Sequence, residues 1–290
     1  MDGLKKISYS QYSLWKQCPY QWKLQYVDGI RDYTDSIHTM FGTSMHEVIQ
    51  TFLTVMYNDT AKMAEALPLE DMLLTRMKRN FESVLETNGG EMFCTEKDMV
   101  EFYQHGVEIL KFIRKKRAQY FSKKGYELVG IEVPLNYELP NKLKFVGFID
   151  IVIRDTVRDV IKIYDIKTST MGWNKYMKAD SNKTDQLLLY KQFYSKQFNH
   201  PIDKIEVEYF IVKRKLYENL DFPQRRVQLF SPASGKPSIN KVMRSLESFV
   251  DNSFVEGKYN RQGTFPTRPD KKNCRYCEFN QTEHCKDGVK

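Results

Sequence analysis

The sequence predicts an α/β fold with a mixed central sheet flanked by helices. Three strand patterns follow one another closely, over residues 127–137, 144–153 and 160–167. Apolar residues at helical spacing precede these strands and return after them, and a further strand pattern covers residues 204–212. Helices, then three strands, then a helix and a strand is the element order of an α/β domain.

The region before the three strands is predicted to be helical. Ser8 or Ser10 can cap a short helix that must end near Cys18, because Pro19 follows. Longer helices are predicted over residues 44–57, 69–85 and 96–123. The body is completed by helices over residues 183–198 and 241–255 and a strand near residues 226–230.

Length and charge limit the class of protein. A chain of 290 residues with 41% hydrophobic and 13% aromatic residues can bury a large core, and we expect a single domain over residues 1–290. The net charge of +8 favours a polyanionic partner, either nucleic acid or an acidic membrane surface. The phosphate-binding pattern GxxxxGK[ST] is absent from the sequence, which argues against a nucleotide-driven motor.

Targeting signals and cysteines indicate the compartment. No run of 18 apolar residues occurs, and the first ten residues contain no apolar segment typical of a signal peptide, so we expect a soluble, cytoplasmic protein without a membrane partner. The five cysteines are an odd number, which argues against a disulfide framework. Three of them, Cys274, Cys277 and Cys285, lie within the last 17 residues.

The stretch "KFVGFIDIVIRDTVRDVIKIYDIK" contains the main chemical signal. Asp165 and Lys167 end a buried strand and are two residues apart, so both side chains lie on one face. A hairpin through the polar turn near residues 155–158 returns Asp150 to the neighbourhood of Asp165. Two converging carboxylates repel unless a cation lies between them, which indicates Mg²⁺ or Mn²⁺. Lys167 could then orient or deprotonate a water, although an ion pair at a sheet edge explains the same residues.

Several motifs together resemble the PD-(D/E)xK nucleases. "GFID" and "YDIKTS" are similar to the GxxD and DxK core of that superfamily, and "DQLLLYKQFY" resembles the QxxxY motif of its RecB-like branch. "FGTSMHEVIQ" resembles the helical histidine motif, and "ISYSQYSLWKQCPYQWKL" resembles the N-terminal segment of the same branch. Residues 51–124 match nothing in that pattern and are expected to be a helical insertion.

This resemblance implies a restriction-endonuclease-like fold and a role for each matched residue. His46, Asp150, Asp165 and the carbonyl of Ile166 would bind the metal, and Lys167 would be the catalytic lysine. Gln186 and Tyr190 would order the DNA end and the lysine, and Glu132 matches an acidic position of the family.

The C-terminal segment, residues 265–290, resembles the subgroup in which four cysteines hold a [4Fe-4S] cluster, as in CRISPR-associated RecB-like exonucleases. Cys18 would be the fourth ligand beside Cys274, Cys277 and Cys285, so the cluster would act as a staple that joins the termini. Four thiolates also suit Zn²⁺, and the long last spacing, Cys-x7-Cys, makes His284 a conceivable substitute ligand. Cys94 is expected to be an incidental buried thiol.

The expected function is a metal-dependent deoxyribonuclease, an exonuclease on single-stranded ends with possible endonuclease activity, in DNA processing, recombination or repair. Without a motor motif it would need a helicase, a recombination or CRISPR partner, or ends that are already open. A DNA-binding or adaptor protein that keeps the fold and cluster is the alternative, and RNA is not excluded as the substrate. The sequence leaves the oligomeric state open.

Two basic segments are further candidates for contacts with a nucleic-acid backbone. Residues 111–124 carry seven Lys or Arg with interleaved aromatic residues, a pattern also typical of a solvated helix face with an apolar stripe. Lys213, Arg214 and Lys215 follow a predicted strand and form the second segment.

Overall fold

The computed structural model describes residues 3–30, 35–218 and 221–289. The first half of the chain is mainly helical and contains, in order, β1 (Lys5–Ser8), α1 (Tyr9–Gln17), α2 (Pro19–Trp22), a π-helical segment (Lys23–Val27), α3 (Ile37–Asn58), α4 (Ala61–Glu65), α5 (Leu69–Thr87) and α6 (Glu96–Tyr120). The second half carries most of the sheet and contains β2 (Tyr126–Leu139), β3 (Leu143–Asp155), β4 (Val160–Ser169), α7 (Lys175–Ala179), α8 (Ser181–Gln197), a 3₁₀ turn (Ile202–Lys204), β5 (Ile205–Lys213), β6 (Val227–Phe230), α9 (Lys236–Ser253), β7 (Phe254–Val255), β8 (Lys258–Tyr259) and α10 (Lys271–Cys274).

The predicted α/β fold is confirmed, and the differences lie at the boundaries of the longer elements and in short elements such as β1 that were not predicted. The Ser8 side chain accepts a hydrogen bond from the Gln11 backbone and caps α1, as expected. The helix predicted from residue 44 begins at Ile37, because Ser36 and Thr39 form a capping box there. The helix predicted from residue 241 likewise begins earlier, with a proline in its first turn at Pro237.

The central sheet is mixed, and β3 pairs with β1, β2 and β4. β2 pairs antiparallel with almost the whole of β3 along one edge. Along the other edge, β1 pairs in parallel with residues 143–146 of β3, and β4 pairs antiparallel with residues 151–155. Residues 147–150 therefore form a gap between β1 and β4 on that edge, among the strands that the structure describes.

Helices cover both faces of this sheet and enclose two hydrophobic cores. The first core packs α1, α8 and α9 against one face, with Phe145, Phe193 and Phe249 fully buried. The second core packs α3, α5 and α6 against the other face, with Phe41, Phe52 and Phe210 buried. Burial of these side chains on both faces fixes the position of β3 and β4 relative to α3 and α8.

The predicted helical insertion, residues 51–124, comprises the C-terminal part of α3 together with α4, α5 and α6. Its apolar residues contribute to the second core, so these helices form a layer of the domain and not a separate body. Its status as an insertion relative to other family members stays a prediction. None of the helices in the described ranges is long and apolar enough to cross a membrane.

Candidate active site

The candidate active site lies where β3 and β4 separate. The last paired residues are Ile151 and Tyr164, so Asp150 and Asp165 are the first residues beyond the ladder. Asp150 Oδ2 accepts a hydrogen bond of 2.6 Å from the backbone N–H of Ile166. A carboxylate thus satisfies a backbone donor that the diverging partner strand no longer reaches.

Asp165 and Lys167 project from the same face of β4, as the spacing predicted. Lys167 Nζ lies 2.8 Å from Asp165 Oδ2 and donates a hydrogen bond of 3.0 Å to Gln186 Oε1. The Asp165 residue is 2% exposed, and its Oδ2 makes no hydrogen bond of regular geometry despite this ion pair. The site therefore contains a buried carboxylate oxygen with unused acceptor capacity.

Helix α8 supplies the polar side chains beneath the gap in β3. Gln186 Nε2 donates a hydrogen bond of 3.1 Å to the Tyr190 hydroxyl, as expected for positions one helical turn apart. The Tyr190 ring approaches β3 at Gly147, where a Cβ atom would lie 3.2 Å from the ring. Glycine at this position lets α8 bring Gln186 close to Lys167.

Helix α3 reaches the same point from the other face. His46 Nδ1 lies 3.6 Å from Asp150 Oδ2. One turn later, Gln50 Nε2 donates to Glu132 Oε1 at 2.5 Å and to the Asp150 carbonyl at 3.4 Å. Glu132 lies opposite Asp150 in the β2–β3 ladder and has a positive φ of 49°. The sequence reasoning missed Gln50, although it stands four residues after His46 within the histidine motif.

The electrostatics of the site reflect burial of more acid than base. Burial raises the pKa of Asp150 to about 6, against the opposing effect of Lys167. Burial also raises the pKa of Asp165 to about 6, although Lys167 is adjacent. Burial alone would lower the pKa of Lys167, but Asp165 and Asp150 outweigh it, so that pKa is raised. Burial and the nearby ammonium lower the pKa of His46, which leaves a neutral imidazole at pH 7.

The donor set has the chemistry of a site for a hard divalent cation. Asp150, Asp165 and the backbone of Ile166 supply oxygen atoms, and His46 supplies a neutral imidazole. Over residues 3–30, 35–218 and 221–289, no three His, Cys, Asp or Glu side chains already converge in the arrangement of a metal site. The residues thus fit a metal by donor type and by the unused oxygen of Asp165, while the ammonium of Lys167 lies among them.

The N-terminal and C-terminal segments of the chain contact each other at a junction formed by residues other than those of the candidate active site. The backbone and side chain of Gln17 bond to Asn273, and the Tyr20 hydroxyl donates to the His284 carbonyl at 3.1 Å. A cavity of about 20 Å³ at this junction is lined by four free thiols, those of Cys18, Cys274, Cys277 and Cys285.

Burial is the main cause that raises the pKa of Cys277 to about 11, with a contribution from Cys18 and Cys285. The described lining of the cavity includes Cys285 and does not include His284. Cys94 lies elsewhere, just before α6, and is partly buried against the second core. The structure therefore brings together the four predicted cysteines and separates them from the fifth.

The basic segment 111–124 is largely engaged with the protein itself. Arg114 donates to the Leu67 carbonyl, and Arg117 donates to Glu65 at 2.8 Å. Among its aromatic residues, Phe121 is buried and packs at a tilt against Phe210 of the second core. These contacts favour the reading as a solvated helix face with an apolar stripe.

Comparison with known proteins identifies the family. The model of the PD-(D/E)XK nuclease superfamily matches residues 6–282 of the chain. None of the curated proteins compared with the chain matches it. Among solved structures, the chain is similar to a presumed exonuclease from Eubacterium rectale, with 14% identity, a TM-score of 0.46, and coverage of 84% of this chain and 78% of that one. With the family model spanning nearly its whole length, the chain belongs to the PD-(D/E)XK nuclease superfamily.

Proposed function

We propose that the chain is a metal-dependent deoxyribonuclease that hydrolyses phosphodiester bonds, chiefly as an exonuclease on single-stranded ends. The observation that carries the proposal is the pair of carboxylates, the buried Asp165 and the partly buried Asp150, beside Lys167 at the separation of two strands. Family membership supports nuclease chemistry, and the net charge of +8 supports a polyanionic substrate. Endonuclease activity would use the same site on strands without ends.

The assigned roles follow from the contacts. Asp150, Asp165, His46 and the carbonyl of Ile166 would hold Mg²⁺ or Mn²⁺. A divalent cation bound there supplies positive charge that polarises the scissile phosphate and lowers the pKa of the attacking water.

The remaining roles belong to side chains of α8 and β4. Lys167 keeps its proton, so its ammonium is suited to stabilising the negative charge that develops on the phosphate. Gln186, hydrogen-bonded to Lys167 and to Tyr190, fixes the direction in which that ammonium points. Gln50 holds the Glu132 carboxylate on the opposite side of Asp150.

The proposal is tested with end-labelled single-stranded DNA, duplex DNA and RNA in Mg²⁺, Mn²⁺ or EDTA. We expect stepwise shortening of single-stranded DNA in either metal, none in EDTA, and slower attack on blunt duplexes. Asp159→Asn is the matched control for variants of Asp165, because Asp159 is an exposed acid in the β3–β4 turn, paired with Arg154 at 2.7 Å. An active protein in EDTA would contradict metal dependence, and preferential attack on RNA would contradict the substrate class.

The alternative function, a DNA-binding or adaptor protein, predicts binding without cleavage under all of these conditions. The intact set of Asp150, Asp165 and Lys167 favours the enzyme. Since the sequence carries no GxxxxGK[ST] pattern, long duplexes would need a partner helicase, a recombination or CRISPR partner, or ends that are already open.

The cysteines at the junction of the termini are proposed to hold a [4Fe-4S] cluster, with zinc as the other candidate. Four thiols line one cavity, although no three of them already converge as metal ligands in the described ranges, and both groups are bound by thiolates that must lose their protons. The raised pKa of Cys277 means that binding would release protons near neutral pH. Protein purified without oxygen should be brown with about four irons per chain. One zinc in a colourless protein would reject the cluster. A protein that contains neither iron nor zinc would reject the site.

A further inference from the structure

A second cluster of charged side chains lies at the carboxyl end of β5, beside the candidate active site. The parallel ladder between β4 and β5 pairs Lys167 with Ile211 and continues past the strand ends. Arg214 N–H donates to the Ser169 carbonyl at 2.8 Å. Three residues along a strand and one strand spacing separate the backbones of Lys167 and Arg214, which is about 11 Å.

One carboxylate oxygen from helix α6 binds both cations of this cluster. Glu101 Oε1 lies 2.9 Å from Arg214 Nη1 and 2.9 Å from Lys215 Nζ. The guanidinium of Arg214 also stacks on the Phe102 ring at 3.9 Å and contacts His105 Nδ1 at 3.2 Å. Two positive groups thus converge on a single oxygen, which is how basic side chains bind a phosphate oxygen.

The three side chains of this cluster differ in exposure. The Arg214 side chain is 9% exposed, whereas the Lys215 and Glu101 side chains are 45% and 40% exposed. Arg214 is fixed by its backbone bond to β4 and by the ring beneath it. Glu101 is itself 40% exposed, so rotation of this one side chain would free Arg214 Nη1 and Lys215 Nζ from the carboxylate oxygen that they share.

We propose that Arg214 and Lys215 form a phosphate site for the substrate strand, and that Glu101 occupies this site as an internal mimic until a backbone phosphate displaces it. The inference rests on the proposed nuclease function, because it places a second phosphate of the same strand at a residue whose backbone lies about 11 Å from the backbone of the proposed catalytic lysine. The ligand is the sugar-phosphate backbone of single-stranded nucleic acid, which carries no base identity.

The path of the strand follows from the faces of the sheet. Lys167 lies on the α8 side, where it contacts Gln186, and Arg214 lies on the α6 side, where it contacts Phe102. A strand that engages both must cross the carboxyl ends of β4 and β5. A flexible single strand can make that crossing over one or two nucleotides more readily than a duplex, so the site favours unpaired ends.

The test is binding of a fluorescent 12-nucleotide single-stranded DNA in EDTA, where cleavage does not interfere. Lys215→Gln should weaken binding about fivefold at 0.1 M salt and reduce the slope of log K against log salt by about 0.7, as for one lost phosphate contact. Glu101→Gln should strengthen binding by a similar factor, because it removes the competing charge. Arg214→Gln should weaken binding more than Lys215→Gln and abolish the gain from Glu101→Gln in the double variant.

The exposed ion pair between Lys142 and Glu256 provides matched controls. Lys142 Nζ lies 2.5 Å from Glu256 Oε2. Lys142 directly precedes β3 and is eight residues, or about 26 Å of extended strand, from Asp150. Lys142→Gln changes the net charge by the same amount as Lys215→Gln, and Glu256→Gln by the same amount as Glu101→Gln. Each control should alter affinity less than twofold.

The outcomes separate this inference from the proposed function. If the wild-type protein binds single-stranded DNA but Glu101→Gln only lowers the melting temperature without raising affinity, the cluster is a structural tie and the phosphate site is rejected. If the Glu256→Gln control gains as much as Glu101→Gln, the effect is one of net charge and the site is also rejected. If no variant binds nucleic acid, both the site and the proposed nuclease function fail.

Discussion

The separation of β3 and β4 and the junction of the termini both gather functional side chains, but they are built differently. At the strand separation, every candidate residue stands on a long element anchored in one of the two cores, and its polar groups are in contact without a ligand. At the junction, Cys18 lies between α1 and α2, Cys274 ends α10 and the other two cysteines lie in loops, and the four thiols share a small cavity. We infer that packing preorganises the first region, whereas the second depends on what its thiols bind.

This comparison predicts that mutations at the strand separation lower activity, whereas mutations at the junction lower stability. The largest expected effect is on activity. Asp165→Ala and Lys167→Ala should each lower the rate of cleavage by about a thousandfold or more, because several kcal/mol of transition-state stabilisation are lost. Binding of single-stranded DNA should persist in both. Cleavage rates and binding are measured on the same preparations. Wild-type rates in either variant, once contaminating nuclease is excluded, would remove the strand separation from the mechanism.

The second prediction concerns stability at the junction. Cys18→Ser and Cys277→Ser should lower yield and melting temperature equally, because each removes a ligand of the proposed cluster, which would close nearly the whole chain into one loop. The loss of unfolded-state restriction is at most about 5 kcal/mol. Cys94→Ser is the control and should be nearly silent, since Cys94 lies outside the cavity. A stable, active Cys18→Ser protein would mean that the junction is held by its hydrogen bonds alone.

The third prediction uses pH to measure how much the ionised carboxylate of Asp150 destabilises the folded protein. The pKa of Asp150 is about 6 in the folded protein, above its usual value, so its stabilising contribution is complete below about pH 4 and lost as the pH rises through 6. In EDTA, Asp150→Asn should match the wild type at pH 4 and exceed it at pH 8, by at most about 3 kcal/mol in unfolding free energy. Urea melts at both pH values test this, and a constant difference would contradict the burial of uncompensated charge.

A smaller effect is expected at His46. His46→Ala should reduce cleavage in Mg²⁺ but recover part of it in Mn²⁺, because a water can replace one imidazole ligand. The ratio of the rates in the two metals is the measured quantity. An unchanged ratio would assign His46 to packing beside Asp150 and not to the metal.

The smallest effect is expected for the basic segment of α6. Replacing Lys115, Lys116 and Arg117 together with Ser should leave single-stranded DNA binding within about twofold at 0.1 M salt. The neighbouring Arg114 and Phe121 already bond or pack within the protein. A clear loss of salt dependence would restore this segment as a DNA contact.

Local patterns were sufficient to predict the sheet and the core of the site. The hairpin of β3 and β4 was predicted from alternating apolar residues around a polar turn, and the same spacing placed Asp165 beside Lys167. The strand β1 was not predicted, because its four residues contain only one buried apolar side chain, Ile7. The start of α3 was missed because Gly42 and two threonines weaken its helical pattern.

Contacts between distant parts of the chain could not be predicted. Gln50 and Glu132 are joined by the packing of α3 on β2, and no local pattern relates them. Glu101 and Arg214 stand on α6 and after β5, and their pairing depends on how α6 lies over the sheet. The four cysteines were grouped by resemblance to a family, since residues at the two ends of a chain carry no spacing that requires them to meet.

Binding of Mn²⁺ measured by isothermal titration calorimetry at pH 8 tests the central claim most directly, that the strand separation is a preorganised metal site. The account predicts binding to the wild-type protein and to the exposed-acid control Asp159→Asn, and its loss in Asp165→Asn, with all three proteins folded, as shown by a cooperative melting transition above the temperature of the titration. Equal Mn²⁺ binding by Asp165→Asn and the wild type would contradict it.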